Sequence, residues 1–230
     1  MVGGKKGVPM FKYVEDKSYL SRVRHLCGKI MQDFCHLLKE NYNIGANFYL
    51  VGSGARNLIT QNASQPIDLD YNLEIVRCEN IHDRRTIKEC ARKALNQVLN
   101  SHCLGDCEDS TSSLTTKKFH FETGNPTEFS IDICITFLDD NGVYRLIHEK
   151  TRNALCDGYY WNKAPNSEKL REKAAYIKDC GEWPLVREQY LAIKNKYLLP
   201  AYLISGKHPS FSCYIEAVNA VYSTLQNRCR

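Results

Sequence analysis

The run from Ile67 to Val76 constrains this chain most. Ile67, Leu69, Tyr71, Leu73 and Ile75 alternate with Asp68, Asp70, Asn72 and Glu74 without a break. A period of two marks a half-buried strand, whose apolar face needs sheet partners and a cover. The same alternation puts Asp68 and Asp70 on one face, about 7 Å apart by strand rise. Asp is disfavoured in strands, and two like charges this close repel unless a cation lies between them. Carboxylate oxygens are hard ligands that suit Mg²⁺. The plain alternative is the solvated face of an edge strand.

Two further segments bear on the same chemistry. In Ser130-Ile131-Asp132-Ile133-Cys134-Ile135 a lone acid sits among apolar neighbours. A buried, unpaired carboxylate costs several kcal/mol, so Asp132 calls for a metal, an Arg partner or an exposed strand end. Upstream, the apolar run Phe48-Tyr49-Leu50-Val51 reads as a buried strand that stops at Gly52-Ser53-Gly54. A glycine lets backbone approach a phosphate closely, a helix start adds free N–H donors, and Ser53 adds a hydroxyl. Many strand-to-helix turns carry Gly and Ser for structural reasons alone.

The rest of the pattern sets the frame. Apolar residues at Leu20, Val23, Cys27, Ile30, Phe34 and Leu37 predict an amphipathic helix over 18–42, stopped by Asn43 and Gly45. Ala55–Ile59 reads as the start of a helix, 62–66 as a polar loop, and Ile87, Cys90, Ala94, Leu95 and Val98 as the stripe of another helix. Residues 105–113 read as a loop. Leu114–Phe121 and Phe129–Phe137 read as antiparallel strands, and Val143–Ile147 follows the turn Asp139-Asp140-Asn141-Gly142. From Trp161 the pattern is helical, with Ser167 and Pro184 as helix starts, Gly181 as a stop, and 200–209 as a connector. The expected fold is therefore α+β: a small mixed β-sheet domain with flanking helices over residues 1–160, and a helical C-terminal lobe over 161–230.

Composition narrows the setting. No apolar run approaches the ~20 residues that span a bilayer, so no membrane association is expected. The first ten residues lack the apolar core of a signal peptide, and a cytoplasmic location is the default. The eleven cysteines are scattered, and the one close pair, Cys103 and Cys107, lacks a second pair to complete a zinc site. From Trp161 onward Lys and Arg outnumber Asp and Glu 11 to 6, whereas before it each pair totals 20. A basic C-terminal part suits an anionic ligand.

Taken in order, Val51-Gly52-Ser53, then Asp68-Leu69-Asp70-Tyr71, then Asp132, the chain resembles the nucleotidyltransferase superfamily with the DNA polymerase β-like fold. Gly52-Ser53-Gly54-Ala55-Arg56-Asn57 is similar to the Gly-Ser-x-Ala-Arg-Gly form of small bacterial members, with Asn57 in place of the last Gly. The spacer of 14 residues from Gly54 to Ile67 is slightly long for the family. The resemblance covers residues 47–135. It implies that Asp68, Asp70 and Asp132 are the catalytic acids and hold Mg²⁺ (or Mn²⁺). It also implies that Gly52, Ser53 and Arg56 bind the triphosphate, and that an NMP passes from an NTP to an acceptor hydroxyl with release of pyrophosphate. A basic residue of the helical lobe (Lys169, Arg171, Lys173 or Lys178) would help neutralise the triphosphate. Tyr159, Tyr160 and Trp161 read as packing at the lobe junction rather than as a base platform. The acceptor is open. A small molecule or a protein is favoured for so short a chain, ahead of an RNA or a second nucleotide. The competing readings are an inactive nucleotide-binding or protein-interaction relative, and a nucleic-acid-binding module.

Overall fold

The structure is a computed structural model that describes residues 10–197 and 209–228. In chain order its elements are β1 (Phe11–Tyr13), α1 (Lys17–Tyr42), β2 (Gly45–Leu50), α2 (Gly52–Arg56), β3 (Thr60–Asn62), β4 (Ile67–Arg77), α3 (Arg84–Ser101), β5 (Glu108–Asp109), β6 (Leu114–Thr115), β7 (Phe129–Asp139), β8 (Gly142–Glu149), β9 (Gly158–Lys163), α4 (Glu168–Asp179), α5 (Trp183–Lys196) and α6 (Ser210–Arg228). They form a mixed α/β architecture. Two compact units emerge. A sheet unit takes Asp16–Arg56 and Pro66–Pro165, and a largely helical unit takes Met1–Glu15, Asn57–Gln65 and Asn166–Arg230. The boundary drawn after residue 160 thus falls inside β9, and the helical unit recruits two segments from the first half of the chain. The connector expected over 200–209 lies outside the described residues except for its last position.

In the sheet unit the strand order is β2-β4-β7-β6-β5, with β8 pairing β7 and β9. Strands β4 and β7 run parallel and every other pair is antiparallel. Parallel neighbours need a crossover connection, and α3 lies on the path between these two. Helix α1 starts where Asp16 Oδ1 accepts the Tyr19 amide at 2.8 Å. It stops where Asn43 takes a left-handed φ of 53°. Its buried stripe keeps Val23, Cys27, Ile30 and Phe34 of the residues read from the sequence, but Tyr19 and Leu38 are buried in place of Leu20 and Leu37, which are half-buried. The core joins this stripe to Ile87, Ala91, Leu95 and Val98 of α3, to the apolar face of β4, and to Ile131, Ile133 and Ile135 of β7.

The helical unit has its own core. Leu58 is buried together with Ala174, Ile177, Val186, Tyr190, Cys213, Ala217, Val218 and Val221. Strands β1 and β3 pair antiparallel beside it, and Asn195 of α5 holds the backbone of Phe11 through both its amide atoms. No helix among the described residues is long and apolar enough to cross a membrane.

Several expectations give way locally. The helix expected over Ala55–Ile59 already ends at Arg56, because Leu58 and Ile59 are drawn into the helical unit's segment. The polar loop over 62–66 begins inside β3. The strand expected over Leu114–Phe121 is regular only at β6. Beyond it the Thr116 hydroxyl accepts the Ile131 amide at 2.9 Å, and pairing resumes at a single Phe119–Phe129 bridge. The 105–113 loop contains the short strand β5. Strand β9 interrupts the expected helical pattern, and Tyr159, Tyr160 and Trp161 belong to it. Tyr159 stacks on His148, and Trp161 donates its indole N–H to Ile81 at 2.9 Å. The packing partners of Tyr159 and Trp161 therefore lie within the sheet unit, and Tyr160 is exposed.

Candidate active site

The acids are placed by strand register. Across the parallel pair β4–β7, Asp70 stands opposite Asp132 and Asp68 opposite Ser130. Residues two apart share a face, so the three carboxylates and Ser130 rise from one side of two adjacent strands. Ser130 donates its hydroxyl to Asp68 Oδ1. Strand β6 supplies Thr115 directly opposite Asp132, and the Thr115 hydroxyl donates to Asp132 Oδ1 at 2.5 Å. Neither Ser130 nor Thr115 stood out in the sequence. Ser130 shares a face with Asp132 by alternation, but Thr115 becomes a neighbour only through pairing across 17 residues.

The electrostatics are unrelieved. Burial, with the charges of Asp132 and Asp68, pushes the Asp70 carboxyl up to about 6 against the opposing pull of Arg56. Burial also raises Asp132, with Asp68 adding repulsion and the Thr115 hydrogen bond acting the other way. None of the ion pairs among the described residues involves these three acids. An arginine lock, which would make the acids a structural cluster, is therefore not what holds them.

Gly52 completes the corner. The amide of Val51 donates to the Asp70 carbonyl at 2.8 Å, which ties the end of β2 to β4. Gly52 then turns at a φ of +61°, and a Cβ there would lie 2.1 Å from Asp70 Oδ2. Only glycine lets the chain pass this close to the carboxylate. Ser53 follows, half-buried, in α2. That helix has only five residues, so its dipole is smaller than a full helix start would give. Arg56 donates Nη1 to the Gly52 carbonyl at 2.6 Å; its observed contact fastens the turn, and its charge is felt at Asp70.

A cavity of about 500 Å³ opens over Asp68 and Asp132, and Asp70, Gly52 and Ser53 are not part of its lining. Asp68, Ser130 and Asp132 line it together with Ser110, Ser113, Thr115, Lys117 and Lys118. Lys117 and Lys118 are exposed and went unremarked in the sequence, since surface lysines carry no pattern of their own. The basic residues singled out on α4 belong to the helical unit. Lys173 donates to Asn219 at 2.7 Å and lies near the Tyr222 ring, and Lys178 sits over Trp183. Lys169 and Lys173 line a separate cavity of about 360 Å³.

The donor set fits a hard divalent cation. It comprises three carboxylates on one face, two with raised pKa values and no basic ion-pair partner. Among the described residues, no three acidic, His or Cys side chains already have their donor atoms gathered as one ion's ligand set. Asp68 and Asp132 are instead turned to the hydroxyls of Ser130 and Thr115.

No family description matches the sequence, and no curated protein matches it either. Solved structures do share its fold. One is the Vibrio cholerae DncV cyclic AMP-GMP synthase in complex with a linear pppA(3′,5′)pG intermediate, at a TM-score of 0.62 and 10% identity, covering 90% of this chain and 68% of that one. A second is the Bradyrhizobium diazoefficiens CD-NTase CdnG with GTP, at 0.54 and 14%, covering 88% and 66%. A third is the Elizabethkingia meningoseptica CdnE cyclic dinucleotide synthase with GTP and Apcpp, at 0.50 and 11%, covering 84% and 68%. The chain thus spans about two thirds of the length of these neighbours. The mixed sheet with its flanking helices is therefore a fold that this chain shares with these solved structures.

Proposed function

We propose that this chain is a metal-dependent nucleotidyltransferase that moves an NMP from an NTP to an acceptor hydroxyl. The observation that carries the reading is the register that sets Asp70 beside Asp132, with Asp68 on the same face and Gly52 against the Asp70 carboxylate. Asp68, Asp70 and Asp132 would hold Mg²⁺ (or Mn²⁺). Bound there, the ions would make the acceptor hydroxyl a better nucleophile and neutralise charge on the attacking and leaving oxygens. The backbone at Gly52, the Ser53 hydroxyl and the Arg56 charge orient the β- and γ-phosphates. The acceptor oxygen bonds to the α-phosphorus, the α–β anhydride bond breaks, pyrophosphate leaves, and the hydroxyl proton passes to water. Most of the catalytic gain in such a site comes from positioning and charge compensation.

The acceptor we favour is a second nucleotide, which the sequence alone ranks behind a small molecule or a protein. The cavity is large enough for one, with acids on one side and Lys117 and Lys118 on another to meet an acceptor's phosphates. The fold neighbours were solved with nucleoside triphosphates and a linear dinucleotide, which supports the same choice. A cytoplasmic location, where NTPs are abundant, suits this reading.

The test is to incubate the protein with α-labelled ATP and GTP and Mg²⁺, then measure pyrophosphate and separate the labelled products. We expect pyrophosphate release in step with a new 3′,5′- or 2′,5′-linked product, both abolished by EDTA and by Asp70→Asn. NTP binding that occurs without any pyrophosphate would instead identify a catalytically silent relative.

A further inference from the structure

One buried ionic cluster of the sheet unit takes no part in the chemistry above. Lys88 of α3 is 1% exposed. Its Nζ faces Asp109 Oδ1 at 3.1 Å and lies 3.4 Å from the carbonyls of both Ser110 and Ser113. Asp109 Oδ2 meets His148 Nδ1 at 2.7 Å, and His148 Nε2 meets Asp157 Oδ2 at 2.9 Å. The Thr151 amide donates to Asp157 Oδ1 at 2.7 Å, and with His148 it holds the Asp157 carboxyl below the usual carboxylate range. The His148 ring stacks on Tyr159 with centroids 4.3 Å apart. Only a doubly protonated imidazole donates to both carboxylates, and in that form the four charges cancel.

Stability alone is a poor account of such a cluster. Well-packed apolar residues of the same volume are often as stabilising as a buried ion pair, or more so. What the cluster does have is an address. It draws α3, β5, β8 and the residues before β9 to one turn, Ser110–Ser113. That turn is closed by the Ser110 amide on the Ser113 carbonyl at 2.9 Å. Its hydroxyls run on towards the acids: Ser110 to Ser113 at 2.8 Å, Ser113 to Thr115 at 3.4 Å, and Thr115 to Asp132 at 2.5 Å.

We propose that Lys88, Asp109, His148 and Asp157 form a positioning device for the third acid. They clamp the Ser110–Ser113 turn so that Thr115 holds the Asp132 carboxylate in one orientation. The proposal rests on the function given above, because it assigns Asp132 to the metal. Lys88 and His148 act only through Thr115, so they are positioning residues and touch no substrate.

The test compares native protein with Lys88→Met, Thr115→Val and Thr115→Ser by two readouts, neither of them turnover. The first is amide hydrogen exchange without metal. Lys88→Met should speed exchange at residues 110–116 and 132 and leave the middle of α1 as in native protein. The second is Mn²⁺ uptake read by electron paramagnetic resonance. Lys88→Met and Thr115→Val should weaken it about 10–100-fold, the usual effect of losing a group that orients a metal ligand. Thr115→Ser, which keeps the hydroxyl, should restore it. Native-like Mn²⁺ affinity in both weakened variants would overturn the clamp, as would exchange that accelerates evenly over the whole unit. Should Lys88→Met fail to fold, His148→Gln takes its place in both readouts, with the same outcomes expected and the same outcomes overturning the clamp. Native protein that takes up no Mn²⁺ at the acids would sink the function instead, and the clamp would stand or fall on the exchange pattern alone.

Discussion

At the scale of single residues, Asp70 has the clearest thermodynamic signature. Its carboxyl titrates at about 6 in the folded chain against an ordinary 3.8. Between those values the folded state holds the proton that the unfolded state has lost. Stability therefore falls as pH rises from about 4 to about 6 and stays lowered above that. Asp70→Asn removes the effect. At pH 8 without divalent ions it should stabilise the protein by on the order of 2 kcal/mol, and at pH 4 the two should melt alike. A lower melting temperature for the variant at pH 8 would contradict this charge balance. By the same linkage, divalent ions should raise the native melting temperature at pH 8 and lose that effect as pH falls through 6. Gly52→Ala is the sharpest steric test. Its methyl would occupy the place of Asp70 Oδ2 on a backbone already at positive φ. It should destabilise by about 1–3 kcal/mol and abolish pyrophosphate release, with both read on one preparation. The acids and the glycine were legible in the sequence because two-residue alternation and a Gly-Ser stop are local patterns. Thr115, Lys88 and His148 were not, since Thr115 gains its role from Asp132 and the other two gain theirs from Asp109, partners brought together only by the fold.

At the scale of elements, what read cleanly was what one buried face controls. Strand β4 alternates because one side is core, and a one-residue slip would turn every side chain over. Helices α1 and α3 show their stripes for the same reason. Strand β9, Gly-Tyr-Tyr-Trp-Asn-Lys, offers no alternation, and its only strand partner among the described residues is β8. The two-residue strands β5 and β6 are too short for any period, although β6 carries Thr115. Ile133 of β7, fully buried beside Asp132, tests how firmly the core supports the site. Ile133→Ala should cost about 2–5 kcal/mol, measured as a lower urea midpoint with the slope unchanged. A loss below 1 kcal/mol would mean that the face is not packed as described.

At the scale of the whole molecule, the chain passes between its two units four times: at 15–16, into and out of the excursion 57–65, and at 165–166. A sequence split into consecutive lobes misses this, because the excursion is only nine residues long and lies between Gly52-Ser53 and Asp68. A protein cut after residue 165 would strip Leu58 of its cover, since Leu58 is 1% exposed among side chains of α4, α5 and α6. Such a protein should bind more of a hydrophobic dye and unfold at lower urea than the full chain; equal midpoints would show that the excursion carries no weight. The excursion also sets a schedule for biosynthesis. Residues 57–65 leave the ribosome 100 residues before the C-terminal segment of their unit begins at 166. At ordinary translation speed that is a wait of about 5–20 s. Newborn chains therefore carry Leu58 and Ile59 bare while the sheet unit is already complete, and a chaperone that grips short apolar segments has its opening there.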